Sequence, residues 1–176
     1  MPPDESKIRT LPMWLAVGFA ARCARLVQPY FRVGYPKAPK NVLGDLERAI
    51  TIAERFAAQG AGDPGYTADA DGDHAVDIAG YVQRWAIDRT VGNYSDSAAG
   101  AAYAAGAAAD IVEACSWANA DLVYANATRA IRGALQCPEV ATQIHNELGL
   151  LLARIGREPL SATAPFPAQW LSKSVS

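Results

Sequence analysis

The residues best suited to chemistry lie in one aspartate-rich stretch of the 176-residue chain. This stretch contains no lysine or arginine. Asp69, Asp71 and Asp73 alternate along it, as the first carboxylate ligands of a calcium loop do. His74, however, stands where such a loop needs glycine, and Gly80 stands where it needs a bidentate glutamate. We therefore expect a solvated turn here and no metal site.

The same stretch has two further interpretations. Asp73 can cap the helix that follows it. The carboxylates can also form an acidic patch for a basic protein partner, because complementary charge speeds encounter and selects the partner. We predict that one aromatic anchor and four carboxylates bind this partner: Tyr66, Asp69, Asp71, Asp73 and Asp77.

Other reactive residue types do not form a catalytic pattern. His74 adjoins carboxylates, but acid–base catalysis also needs a nucleophile and an oxyanion site, and none can be picked out. His145 is predicted to have a surface or packing role. Three cysteines without a Cys-x-x-Cys spacing favour buried free thiols over disulfides or zinc. Gly100 and Gly106 follow no strand, so they do not indicate a phosphate loop. We expect neither a cofactor nor enzymatic activity.

The composition predicts an all-α fold. Hydrophobic residues make up 51% of the chain, many of them alanine, which has the highest helix propensity. The length fits one domain over 1–176, with a polar N-terminal segment at 1–10 and a proline-containing tail at 157–176. A net charge of −2 argues against nucleic acid as the main ligand.

Apolar residues at helical spacing predict a compact bundle of about six helices. Pro29 is expected to end or bend the first helix. The fourth is alanine-rich and thin, which predicts a central position in close contact with its neighbours; the alternative is a low-complexity spacer. The predicted helices cover Met13–Tyr30, Val42–Gln59, a segment from His74 to Gly92, Asp96–Ala118, a segment capped at Asn119–Asp121, and Val140–Ile155.

These patterns also assign surfaces. Arg22 and Arg25 fall outside the apolar face of the first helix. Glu47 and Glu54 fall on the solvent side of the second helix, and Tyr103 begins the apolar pattern of the fourth.

No segment has the length and apolar character of a membrane span or secretion signal, so we expect a cytoplasmic protein without a membrane partner. In the tail, Phe166, Trp170 and Leu171 are expected to dock on the bundle, because termini become ordered only when something holds them. The alternative is a loose end that binds a partner.

Two segments together resemble a known family. The first is WLAVGFAARCARLVQPY at 14–30, followed by the helix containing Arg48-Ala49-Ile50, and the second is the alanine-rich stretch at 98–117. Their order resembles that of helical immunity proteins from bacterial polymorphic toxin systems, with Arg22-Cys23-Ala24 as the other matching position. The resemblance covers about half the chain. It implies a cytoplasmic protein that binds and neutralises a cognate toxin.

Two other classes of function stay open. A helical adaptor or homo-oligomeric structural module would use the thin fourth helix as a homodimer seam. An enzyme with a site assembled from scattered residues would need a buried acid or histidine with a perturbed pKa in a pocket.

Overall fold

A computed structural model describes residues 5–59, 77, 80, 81, 84, 96–116 and 119–155 of the chain. No strand occurs among these residues, and the fold is the predicted all-α bundle. None of the described helices is long and apolar enough to cross a membrane. The residues of the proline-containing tail at 157–176, with Phe166, Trp170 and Leu171, lie outside the described ranges. The helices are α1 (Glu5–Ile8), α2 (Met13–Gly34), α3 (Lys40–Gln59), α4 (Asp96–Ser116), α5 (Ala120–Ala134) and α6 (Pro138–Ile155).

The helix α2 lies inside the bundle, where it contacts α3, α4, α5 and α6. Every residue from Trp14 to Ala24 is buried, so this part of α2 has no solvent-facing side. The prediction that Arg22 lies off the packed face is therefore wrong. Arg22 is paired in this position, because its Nη2 lies 3.3 Å from Glu147 Oε1 on α6.

Pro29 does not end α2, which continues to Gly34. Proline has no N–H to donate to the Arg25 carbonyl, so the helix loses one backbone hydrogen bond here. The continuing turn buries Phe31 and leads to the buried Tyr35, whose ring centroid lies 4.9 Å from that of Phe31. Burying a large side chain contributes about 2 kcal/mol, which helps to offset the lost hydrogen bond.

The alanine-rich helix α4 is packed at the centre, as predicted, against α2, α3 and α5. Its closest approach is to α5, where a Cβ on Gly100 would overlap the Gly133 carbonyl oxygen, and a Cβ on Gly133 would lie 3.0 Å from the Ala104 nitrogen. We call Gly100, Ala104 and Gly133 the α4–α5 seam. Tyr103 borders the seam through its Cβ, which would lie 3.2 Å from a Cβ on Gly133, but its side chain is exposed rather than buried in the packed face.

The ends of the remaining helices follow from local chemistry. Asn119 caps α5 as predicted, since its side-chain oxygen accepts a hydrogen bond from the Leu122 N–H at 3.2 Å.

The short helix α1 was not predicted from the polar segment at 1–10. Arg9, which follows α1, binds Asp121 of α5 at 2.8 Å and so holds this segment on the bundle.

Candidate functional site: the α2–α3 groove

The predicted acidic patch falls largely outside the described residues, which include neither Tyr66 nor Asp69, Asp71 and Asp73. Asp77 is described, and it is helical and exposed. Tyr81, four residues later on the same side of the helix, accepts a hydrogen bond from Asn41 Nδ2 at 3.2 Å. The helix that carries Asp77 therefore lies beside the first turn of α3.

A groove with a volume of about 500 Å³ runs between α2 and α3. Its lining combines apolar and charged side chains: Leu46 is buried and Leu43 half-buried, whereas Arg32 and Glu47 are exposed. This volume lies within the roughly 300–1,000 Å³ typical of binding sites, so the groove can hold side chains of a bound molecule. Its lining residues are Gln28, Pro29 and Arg32 from α2, and Leu43, Gly44, Leu46 and Glu47 from α3.

One wall of the groove is held by an ion-pair network centred on Arg25. The Arg25 guanidinium donates to both oxygens of Glu54, at 2.9 and 2.7 Å, and to Glu47 at 2.7 Å. It also donates to Gln28 Oε1 at 2.8 Å, and Gln28 in turn donates to Glu47. Glu47 is exposed, as predicted for the solvent side of α3, whereas Glu54 is half-buried. Both nevertheless bind Arg25 across the helix pair.

The network shifts the pKa values of its members. The hydrogen bond to Glu54, together with that to Glu47, outweighs burial and raises the pKa of Arg25 above its ordinary value. Partial burial would raise the pKa of Glu47, but the hydrogen bonds from Gln28 and Arg25 outweigh it and hold the pKa below its usual range. At neutral pH Arg25 and Glu47 are therefore charged, and they bind each other before any ligand arrives.

Gly44 lines the groove at an exposed position of α3. No described atom lies within 4 Å of the position that a Cβ would occupy there, so packing within the described chain does not require glycine. Glycine inside a helix costs about 1 kcal/mol relative to alanine. We read Gly44 as a residue that keeps the groove open. The sequence signal for it was a glycine within an otherwise regular amphipathic helix.

The remaining reactive side chains lie elsewhere. Cys23 and Cys137 are buried free thiols, as predicted, and burial raises the pKa of each; the neighbouring Glu139 raises that of Cys137 further. The side chain of Cys115 lies outside the described residues. His145 is exposed on α6, with Nδ1 2.8 Å from the Ala141 carbonyl oxygen. Among the described side chains, no group of three or more His, Cys, Asp or Glu could hold a metal ion.

The groove thus combines an apolar floor, a glycine gap and a charged wall whose groups already bind one another. Such a site can receive an apolar side chain and offer hydrogen-bonding groups around it. Comparison with family models, with curated proteins and with solved structures finds no match to this chain.

Proposed function

We propose that this chain is a protein-binding module that holds its partner at the α2–α3 groove, and that it acts as an immunity protein that neutralises a toxin. The observation that carries the proposal is the open position at Gly44, between the apolar residues Leu43 and Leu46 and the fixed wall around Arg25. Protein interfaces are dominated by a few anchors that fill pockets of this kind.

The fixed wall favours tight binding on energetic grounds. Ordering a long side chain at an interface costs about 0.5–1.5 kcal/mol. Arg25, Gln28 and Glu47 already hold one another in the free protein, so a partner would not have to order them.

The proposed surface extends beyond the groove. Asn41 lies one helical turn before Gly44 on α3, and its bond to Tyr81 brings the helix of Asp77 alongside. A stable inhibitor complex buries roughly 1,600 Å² in total, so the groove would supply the anchor and these neighbours the surrounding contact. Asp77 is the described member of the predicted binding set, and we retain it within this surface.

The test compares two tryptophan substitutions. Gly44→Trp would fill the groove. Gly149→Trp places the same side chain at another helix glycine, on α6, that also has no described atom within 4 Å of its Cβ position. Tagged wild type and both variants are purified from the native host, and bound proteins are identified by mass spectrometry. We expect one stoichiometric partner with wild type and Gly149→Trp, and its loss with Gly44→Trp.

The immunity activity needs a second step. The captured protein is produced alone in a cell and then together with this chain. We expect growth arrest in the first case and growth in the second. Equal capture by both tryptophan variants would contradict the groove as the binding site, and a harmless partner would contradict the immunity function while leaving the binding function in place.

A further inference from the structure

The end of the groove nearest the α2–α3 turn is cationic. Arg32, Lys37 and Lys40 are all exposed, and none forms an ion pair with another described residue. We call these three residues the basic rim. The rim contrasts with the Arg25 network, in which each charge already has a partner.

The three cations lie in and around the α2–α3 turn, at one end of the groove. Arg32 itself lines it. Lys40 lies three and four residues before Leu43 and Gly44, so it shares their side of α3. Lys37 lies in the connecting turn, where the Ala38 N–H donates to the Tyr35 carbonyl at 2.9 Å.

The nearby carboxylates offset the rim only in part, and they include the exposed Asp77 on the helix beside the first turn of α3. Glu47 and Glu54 are bound to Arg25, and Asp45 lies 3.9 Å from Arg48. Among the described residues, the three rim cations still outnumber the two carboxylate charges that remain, one because Glu47 and Glu54 share a single arginine and one at Asp77. This end of the groove is therefore positive on a chain whose net charge is −2. Proline at 36 and 39 restricts the backbone on both sides of Lys37, which limits how far the rim can rearrange.

We infer that the partner segment that enters the groove is acidic: an apolar side chain inserts over Leu43 and Leu46, and flanking carboxylates bind the basic rim. This inference rests on the proposed function and specifies the partner's chemistry. Arg32 suits the role because a guanidinium binds a carboxylate in a bidentate manner. Complementary charge sets both the rate of encounter and the choice of partner. The groove thus selects an acidic segment, in contrast to the basic partner expected from the aspartates.

The test uses the full chain and two charge-reversal variants. The rim variant carries Arg32→Glu, Lys37→Glu and Lys40→Glu. The matched control carries Lys7→Glu, Arg55→Glu and Arg132→Glu, which are equally exposed positions away from the groove lining and give the same change in net charge. The probe is a fluorescent peptide in which glutamates flank one tryptophan, and a second probe has lysine at every glutamate position.

Fluorescence anisotropy measures the affinity of each probe. We expect the acidic peptide to bind wild type and the matched control, and to bind the rim variant and Gly44→Trp at least about tenfold more weakly, with an affinity that falls as salt is added. Equal binding of the lysine peptide, or full affinity of the rim variant, would overturn the inference. The inference would also be overturned if the acidic peptide bound Gly44→Trp normally but not the rim variant. That result would mean that the basic residues bind anions without the groove.

The same variants separate this inference from the proposed function. If Gly44→Trp loses the captured partner and the rim variant keeps it, the binding function stands and the acidic segment is refuted. If wild type captures no partner, the proposed function fails, and the acidic segment as the partner's chemistry fails with it.

Discussion

Gly100 in the α4–α5 seam and Gly44 in the α2–α3 groove are both glycines inside helices, yet their surroundings are opposite. A Cβ on Gly100 would overlap the backbone of α5, whereas a Cβ on Gly44 would meet no described atom. The seam glycine is explained by packing within the chain. The groove glycine has no such explanation, and neither does Gly149 on α6. We assign Gly44 to binding because it lines the groove, whereas Gly149 does not.

The largest expected effect is at the seam. Gly100→Ala forces α4 and α5 apart, because the new methyl group meets the Gly133 carbonyl rather than a movable side chain. Overpacking of this kind costs about 3 kcal/mol. The measurement is the free energy of unfolding in urea, with Gly149→Ala as the control substitution at an open position. A change below about 0.5 kcal/mol would show that the seam is loose and would remove the contrast with the groove.

The sequence was sufficient to predict that α4 is thin and central, and to predict the all-α fold around it. Alanine and glycine between 98 and 109 indicate a thin helix whatever lies beside it, because small side chains permit close approach from any direction. The predicted central position of α4 is confirmed. The cap at Asn119 could also be predicted from a short segment of sequence, because it depends only on Asn119 and the three residues that follow it.

The groove could not be predicted in the same way. Glu47 and Glu54 look like solvent-facing residues in any helical pattern, and only the packing of α2 on α3 brings both to Arg25. Arg22 was misplaced for the same reason, because its partner Glu147 is far away in sequence. Periodicity identifies which residues share a side of one helix, but it does not identify the helix opposite.

The second prediction concerns the wall of the groove. Arg25→Met keeps the aliphatic bulk but leaves the half-buried Glu54 without its bidentate partner. Hydrogen bonds to charged groups contribute about 1.5–3 kcal/mol, so we expect a loss of about 2 kcal/mol in the free energy of unfolding. A double-mutant cycle with Glu54→Gln measures the coupling. Strictly additive losses would show that the pair does not hold α2 to α3.

At Gly44 we expect substitution to stabilise the protein rather than to destabilise it. Gly44→Ala fills no occupied space and replaces a poor helix former, so we expect a gain of about 1 kcal/mol, seen as a higher Tm. Gly149→Ala should raise the free energy of unfolding by a similar amount, and it serves as the reference substitution at an open helix position. Destabilisation by Gly44→Ala alone would mean that the chain itself occupies the space beside Gly44.

The contributions of two carboxyls to stability, Glu47 beside the groove and Asp110 on α4, should respond to pH in opposite directions. The first is Glu47, whose folded pKa is depressed, so its contribution to stability is full above the ordinary glutamate pKa of about 4.3 and is lost as the pH falls through the folded value. Glu47→Gln should therefore be less stable than wild type at pH 7, and the gap should narrow toward pH 3. A gap that does not change with pH would contradict the depressed pKa.

The second carboxyl is Asp110 on α4, where burial raises the pKa although Arg129 lies 3.8 Å away and opposes the shift. The cost in stability of burying the charged Asp110 carboxylate is absent below the ordinary aspartate pKa of about 3.9, and it grows as the pH rises through the raised value. Asp110→Asn should raise the Tm slightly at pH 7 and leave it unchanged near pH 3. A lower Tm at pH 7 would show that the attraction to Arg129 exceeds the cost of burial.

The most direct test of the binding site is backbone hydrogen–deuterium exchange of the full chain, measured alone and with the captured partner. We expect slower exchange over residues 28–47, which contain the groove lining, and little change over 140–155 on α6. Protection confined to α6, or spread evenly over the bundle, would contradict the α2–α3 groove as the place where the partner binds.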